Sequence, residues 1–155
     1  MRANVRVMHD IVVRRARDDE SDAIAALFRL SRETAMPYLP DLHTAEQDRV
    51  FFRERVFAEC EVWAAEQAGE LVGMCAFRDG WIDHLYVHPE YQRNCIGAAL
   101  LSIAKDANAR LQLWVFQRNV NALRFYESQG FGLVKTTDGR TNEEREPDAL
   151  YIWKA

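Results

Sequence analysis

Residues 81–101 read Trp-Ile-Asp-His-Leu-Tyr-Val-His-Pro-Glu-Tyr-Gln-Arg-Asn-Cys-Ile-Gly-Ala-Ala-Leu-Leu, and the fold turns on how that stretch is parsed. Trp81 to Val87 are β-branched, aromatic or aliphatic with polar interruptions, the composition of a strand. Pro89 has no N–H to donate and ends the pairing. From Gly97 onward, Gly-Ala-Ala-Leu-Leu-Ser-Ile-Ala-Lys predicts a helix. A strand that feeds a helix through a short polar turn aims the turn's free N–H groups at one point. The positive end of the helix dipole meets them there, and such a point binds phosphate. Taken alone, the segment also reads as a structural strand–turn–helix.

On either side the pattern is dense. Ile11 to Arg17 reads as a strand, and Asp18 to Leu30 as a helix with acids in its first turn. Met36 to Leu42, with Pro37 and Pro40, is an irregular loop. Thr44-Ala-Glu-Gln47 is a capping box that opens a second helix reaching about Glu59. Strands Cys60 to Gln67 and Glu70 to Phe77 flank an Ala68-Gly69 hairpin turn, and Arg78-Asp-Gly80 leads into Trp81 to Val87. After the helix of about Gly97 to Ala109 come a strand, Leu111 to Phe116, and a helix, Asn119 to Gln129, closed by Gly130. Strands Phe131 to Lys135 and Ala149 to Trp153 end the chain around an acid-rich loop, Thr136 to Pro147. The order β α α β β β α β α β β predicts a mixed α/β sheet with helices on its faces. Residues 1–10 read as a flexible leader and 11–155 as a single domain.

Composition narrows the function. The chain has 155 residues, enough for one domain with a proper core. A formal charge of −4 argues against a general nucleic-acid binder. Cys60, Cys75 and Cys95 form no Cys-x-x-Cys pair, so neither a zinc site nor a disulfide framework is expected, and no metal. Reduced thiols fit a cytoplasmic protein. No apolar run approaches the ~20 residues of a membrane span, so no membrane partner is expected. The motifs of phosphate-binding ATPases, serine hydrolases and zinc peptidases do not occur.

Gln92-Arg93-Asn94-Cys95-Ile96-Gly97-Ala98 resembles the acetyl-CoA pyrophosphate loop of the GNAT (general N-acetyltransferase) superfamily, Gln/Arg-x-x-Gly-x-Gly/Ala. Cys95 departs from that pattern where a glycine is usual. Asn119-Val-Asn-Ala-Leu-Arg-Phe-Tyr-Glu127, followed by Gly130-Phe131, resembles the family's Asn-x-x-Ala-x-x-Phe-Tyr-x-x-x-Gly-Phe segment without departure. The element order also matches, so the resemblance covers nearly the whole chain from Ile11. It implies a mostly antiparallel seven-stranded sheet with a splayed central strand pair, helices on both faces, and acetyl-CoA as cosubstrate.

The resemblance then distributes roles. Backbone N–H groups of Arg93, Asn94, Cys95, Ile96, Gly97 and Ala98, beside Gln92, would cradle the pyrophosphate, with Gly97 allowing close approach. The backbone of Leu85, Tyr86 and Val87, at a bulge, would pair with the pantetheine arm as an added strand does. Asn119 and Ala122 would meet the cofactor across the slot. Tyr126 stands where many members keep a tyrosine as general acid for the departing thiolate. Members with a base on the central strand carry it at the positions of Trp81 or Asp83, and Asp83 inherits that role, through water or by orienting the amine. Alternation, up to the bulge, puts Trp81, Asp83 and Leu85 on one face and Ile82, His84 and Tyr86 on the other, which sets His84 aside.

The acceptor pocket is expected between the 36–43 loop and the late loop. Tyr38, His43 and Trp81 would supply walls, and Glu143 and Glu144 negative charge for a cationic amine. The sequence thus predicts an N-acetyltransferase in which a primary amine, small or on a protein N-terminus or lysine, attacks the thioester directly. A module that holds acyl-CoA without turnover is the rival. A homodimer is left open.

Overall fold

Eight strands form one sheet in the order β1-β2-β3-β4-β5-β6-β8-β7. They are β1 (Arg6–Met8), β2 (Ile11–Arg15), β3 (Glu61–Gln67), β4 (Glu70–Arg78), β5 (Trp81–Val87), β6 (Arg110–Phe116), β7 (Gly132–Thr136) and β8 (Asp148–Lys154). The structure is a computed structural model and describes residues 6–8, 10–92 and 95–155. The strands read from sequence are all present. The addition is β1, which lies in the stretch read as leader and pairs antiparallel with β2. A strand of 3 residues is too short for a period-2 pattern to register.

The two hairpins that deliver β5 follow from their turns. Ala68 (φ 51°) and Gly69 (φ 80°) are both left-handed, as are Asp79 (φ 46°) and Gly80 (φ 79°). Consecutive left-handed residues make the tight connection whose twist suits antiparallel strands.

Among the described residues there are five α-helices: α1 (Ser21–Ala35), α2 (Ala45–Phe51), α3 (Phe57–Glu59), α4 (Ile96–Ala107) and α5 (Val120–Ser128). A π-helical stretch, Phe52–Val56, joins α2 to α3. The expected capping box is formed: Gln47 N donates to Thr44 Oγ1 (3.1 Å) and Thr44 N to Gln47 Oε1 (2.8 Å). At the end of α5, Gly130 is left-handed (φ 91°). There Phe131 N donates to Tyr126 O (3.0 Å) and Gly130 N to Glu127 O (3.1 Å), the paired bonds of a Schellman cap.

Alternate strand residues feed two apolar clusters. One, on the α4 and α5 side, joins Trp63, Ala65, Ile82, Leu100, Leu111, Leu113 and Tyr126. The other joins Ile24 and Phe28 of α1, Phe52, Val56, Val62, Met74 and Ala76. Helix α4 lies close to β4 because Gly73 has no side chain. A Cβ there would stand 2.9 Å from Ile96 Cγ2 and 3.0 Å from Leu100 Cδ1.

The centre of the sheet departs from regularity twice. All neighbouring strands run antiparallel except β5 and β6, whose one registered pair is Trp81 with Gln112. Past it β5 stays with β4 and β6 with β8, so the pair splays toward Val87 and Phe116. The second irregularity is a bulge: Phe77 pairs with Ile82 and Ala76 with His84, leaving Asp83 as the extra residue. That insertion separates Ile82 from His84 and Tyr86, which alternation had grouped on one face. Ile82 shares its cluster with Leu85 and Val87. His84 and Tyr86 turn to α1, where both stand edge-on to Phe28, at 5.7 Å and 5.2 Å between ring centres.

Candidate active site

At the open end of the splay, the chain leaves Val87, makes a short 3-10 turn at Pro89–Tyr91 and enters α4. Gln92 Nε2 donates to Val87 O (3.4 Å), as does Ser31 Oγ (3.1 Å). Arg93 and Asn94 lie outside the described residues. Among the described residues the first bond of α4 runs from Ala99 N to Cys95 O (3.0 Å). The N–H groups of a helix's first turn are the donors that an anion at a helix start requires. Gly97 has a packing reason as well: a Cβ on it would stand 3.2 Å from Phe125 Cζ. Cys95 is exposed and left-handed (φ 61°, ψ 16°) as the residue before α4, with no capping bond from its side chain.

Across the splay, Asn119 precedes α5 and its Oδ1 accepts from Ala122 N (3.4 Å). Two of the expected cofactor residues are therefore joined by the helix cap itself. Tyr126, one turn further on, is buried in the main cluster against Phe125 and Phe131. Burial, then the proximity of Cys75 and Tyr86, pushes its phenol well above the ordinary tyrosine range. The phenol therefore keeps its proton at neutral pH.

Asp83 is tied to its own neighbours. Its Oδ2 accepts from Arg78 Nε (2.6 Å) and from Cys60 Sγ (3.4 Å). Burial and then this carboxylate push the Cys60 thiol up to about 12. Trp81 stands at the paired end of β5 and β6, where the slot closes.

Of the residues expected to wall the acceptor pocket, His43 and Glu143 meet, Tyr38 and Glu144 each lie against an arginine, and Trp81 stands apart from them at the closed end of the slot. His43 Nε2 meets Glu143 Oε1 (2.5 Å), and Arg32 Nη2 meets Glu144 Oε1 (3.2 Å). Arg118 holds Glu146 with two bonds, 2.9 and 2.6 Å, and lies 3.9 Å over the Tyr38 ring. Asn142 closes the late loop on itself, donating to Glu146 O (2.6 Å) and accepting from Glu146 N (3.1 Å). Glu144 is thus held by a permanent cation, whereas the more exposed Glu143 meets an imidazole. A cavity of about 270 Å³ lies alongside, lined by Phe28, Arg29, Arg32, Met36, His43 and Asp48 among others. Arg29 and Asp48 are paired within it at 2.6 Å. Arg32 and Arg118 carried no motif. Only their basic character against an acid-rich loop could have drawn attention to them.

A sequence profile of the acetyltransferase (GNAT) domain matches residues 58–132. Over that span the chain matches the GNAT acetyltransferase domain, the superfamily its two motifs resemble. The matched span holds β3 to β5, the α4 entry, β6 and α5, the elements that build the splay. The chain is 28% identical over 124 residues to the peptidyl-lysine N-acetyltransferase YiaC of Escherichia coli, covering 79% of this chain and 84% of that one. Its fold is shared with a GCN5-related N-acetyltransferase from Rhodopseudomonas palustris (TM-score 0.79, 20% identity, 97% and 99% of the two chains). It is also shared with the PaiA N-acetyltransferase of Thermoplasma acidophilum, solved with coenzyme A (TM-score 0.68, 19% identity, 94% and 99%). Among the described residues, no helix is long and apolar enough to cross a membrane.

Proposed function

We propose that this chain moves the acetyl group of acetyl-CoA to a primary amine by direct attack in a ternary complex. The observation that carries this reading is the buried, protonated phenol of Tyr126 at the side of a strand pair that parts after one residue pair. The pyrophosphate would sit on the N–H groups of Cys95 to Ala98 beside Gln92, Arg93 and Asn94. The pantetheine arm would follow the backbone of Leu85 to Val87 toward Trp81, with Asn119 and Ala122 opposite. The PaiA relative's complex with coenzyme A supports this ligand.

The thiolate that departs takes up a proton as the C–S bond breaks, and Tyr126 supplies it. A backbone N–H near Leu85 steadies the negative oxygen of the intermediate. Asp83, with Arg78 already on one oxygen, orients the ammonium or draws its proton through water. Tyr38, His43, Glu143 and Glu144 shape the acceptor entrance, with Glu144 held by Arg32 and the exposed Glu143 carboxylate beside it for a small cationic amine. A lysine side chain is the second reading, favoured by the name of the YiaC relative.

Thiol release from acetyl-CoA, measured across small amines and lysine peptides, tests this. Turnover is expected with at least one class. Tyr126→Phe should lower kcat by ~100-fold, within the usual range of acid catalysis, with coenzyme A affinity unchanged. Binding of coenzyme A without thiol release on any amine would make the chain a binding module instead.

A further inference from the structure

The bulge at Asp83 has a chemical consequence at the next residue. It turns His84 into a ring of aromatic side chains: Phe52 at 5.2 Å, Phe28 at 5.7 Å, Phe51 at 6.1 Å and Tyr86 at 6.2 Å between ring centres. The residue is half-buried, yet its Nδ1 is sealed from solvent and has no hydrogen-bond partner among the described residues. An unmet ring nitrogen in such a place carries its desolvation cost uncompensated, and native proteins seldom leave one without a use. With Nδ1 sealed, Nε2 is the nitrogen left to meet a ligand.

The charged groups around the ring are Asp83 on its own strand and Arg32 of α1, itself paired with Glu144 of the late loop. Burial outweighs both and pushes the imidazole down to about 4. His84 is therefore neutral at neutral pH, with a free lone pair. Phe28, whose ring faces His84, and Arg32 also line the 270 Å³ cavity between α1 and the 36–43 loop. Arg32 also lies over the Phe28 ring, 5.8 Å from its centre.

We propose that His84 is the proton acceptor for the acceptor amine, a role that rests on the acetyl-transfer reading above. As the amine nitrogen bonds to the thioester carbon, the carbonyl electron pair moves onto oxygen. A proton on that nitrogen passes to Nε2 of His84. The C=O bond then re-forms, the C–S bond breaks, and the sulfur takes the proton of Tyr126. The imidazolium returns its proton through solvent to the tyrosinate, so acetylated amine and free thiol leave with both residues restored. The negative oxygen formed during attack stabilises the imidazolium that forms with it, which offsets the desolvation that disfavours a charged ring at rest.

The test compares wild type with His84→Ala and His84→Phe, the second filling the aromatic ring so that packing is kept. Thiol release is measured from pH 6 to 10 with and without added imidazoles of graded basicity, and acetyl-CoA binding by calorimetry. The expected result is a fall in kcat of ~100-fold in both variants with cofactor affinity within threefold. His84→Ala should regain rate with imidazole, and more with the more basic ones. Variants that keep kcat within threefold, or a rescue indifferent to the basicity of the added imidazole, would overturn the role of His84 alone. A wild type that releases no thiol with any amine would remove the acetyl-transfer reading, and this one with it.

Discussion

Cys95 holds a left-handed backbone (φ 61°) directly before α4, a conformation in which a Cβ crowds the following carbonyl at a cost of about 1–2 kcal/mol. The GNAT pattern has glycine at this position for that reason. Glycine also gains freedom in the unfolded chain, which returns part of the difference. Cys95→Gly should therefore stabilise the fold by about 0.5–1 kcal/mol, raising Tm by ~2–4 °C, with tighter coenzyme A binding. A melting curve and a calorimetric titration check both, and an unchanged Tm would mean the strain is relieved elsewhere. This departure was legible from sequence because a pattern of residue types fixes what the backbone must do. The partner of Asp83 was not, because Arg78 and Cys60 reach it only after β3, β4 and β5 are in register. Alternation up to the bulge also grouped Ile82 with His84 and Tyr86. The inserted Asp83 puts Ile82 with Leu85 and Val87 instead, because a period-2 rule has no place for an extra residue.

The elements themselves were the most legible part, since capping boxes, hairpin turns and helix stops are written within a few residues of each other. What joins them across the fold is less so. Arg14 of β2 grips Glu20, just before α1, with bonds of 2.7 and 2.8 Å, and so fixes where that helix leaves the sheet. Chiefly through that contact, the Glu20 carboxyl is held down at about 2, against an ordinary value of 4.5. A depressed acid stabilises the fold fully above its unfolded pKa and loses that contribution as pH falls through the folded one. Glu20→Gln should thus cost on the order of 2–3 kcal/mol at pH 7. The gap to wild type should close between pH 4.5 and about 2, as chemical denaturation at a series of pH values would show. A gap that persists at pH 2 would assign the loss to packing instead. The late loop allows a second prediction. Gly139 is left-handed (φ 82°), and a Cβ on it would lie 2.4 Å from the backbone carbon of Glu146. Gly139→Ala must therefore open the turn that presents Glu143, Glu144 and Glu146 to His43, Arg32 and Arg118. The expected outcome is ~2 kcal/mol or more of lost stability and a raised KM for the amine, with KM for acetyl-CoA little changed.

Taken whole, the molecule is a sheet in two parts, β1 to β5 and β6 to β8, that touch by backbone pairing at Trp81 and Gln112. One apolar cluster runs beneath both, from Ile11 and Trp63 through Ile82 to Leu113, Tyr126 and Tyr151. Helices α4 and α5 meet where Phe125 lies against the open side of Gly97. A ligand lodged in the splay would therefore bear on both parts at once and on the first turn of α4. Anything that binds the folded form alone adds RT ln(1 + [L]/Kd), about 2.7 kcal/mol at 100 times Kd. For a domain of this size that is ~5–10 °C in Tm. Coenzyme A at that excess should produce such a rise, with slowed hydrogen exchange at Leu85 to Val87, at Ile96 to Ala98 and at the start of α5. Protection confined instead to the 36–43 loop and α1 would place the ligand in the cavity beside Phe28. The parted strands would then be a structural irregularity of this sheet, and the acceptor side would have to be sought elsewhere. The two patterns differ in every segment they name, so a single exchange experiment with and without coenzyme A decides between them.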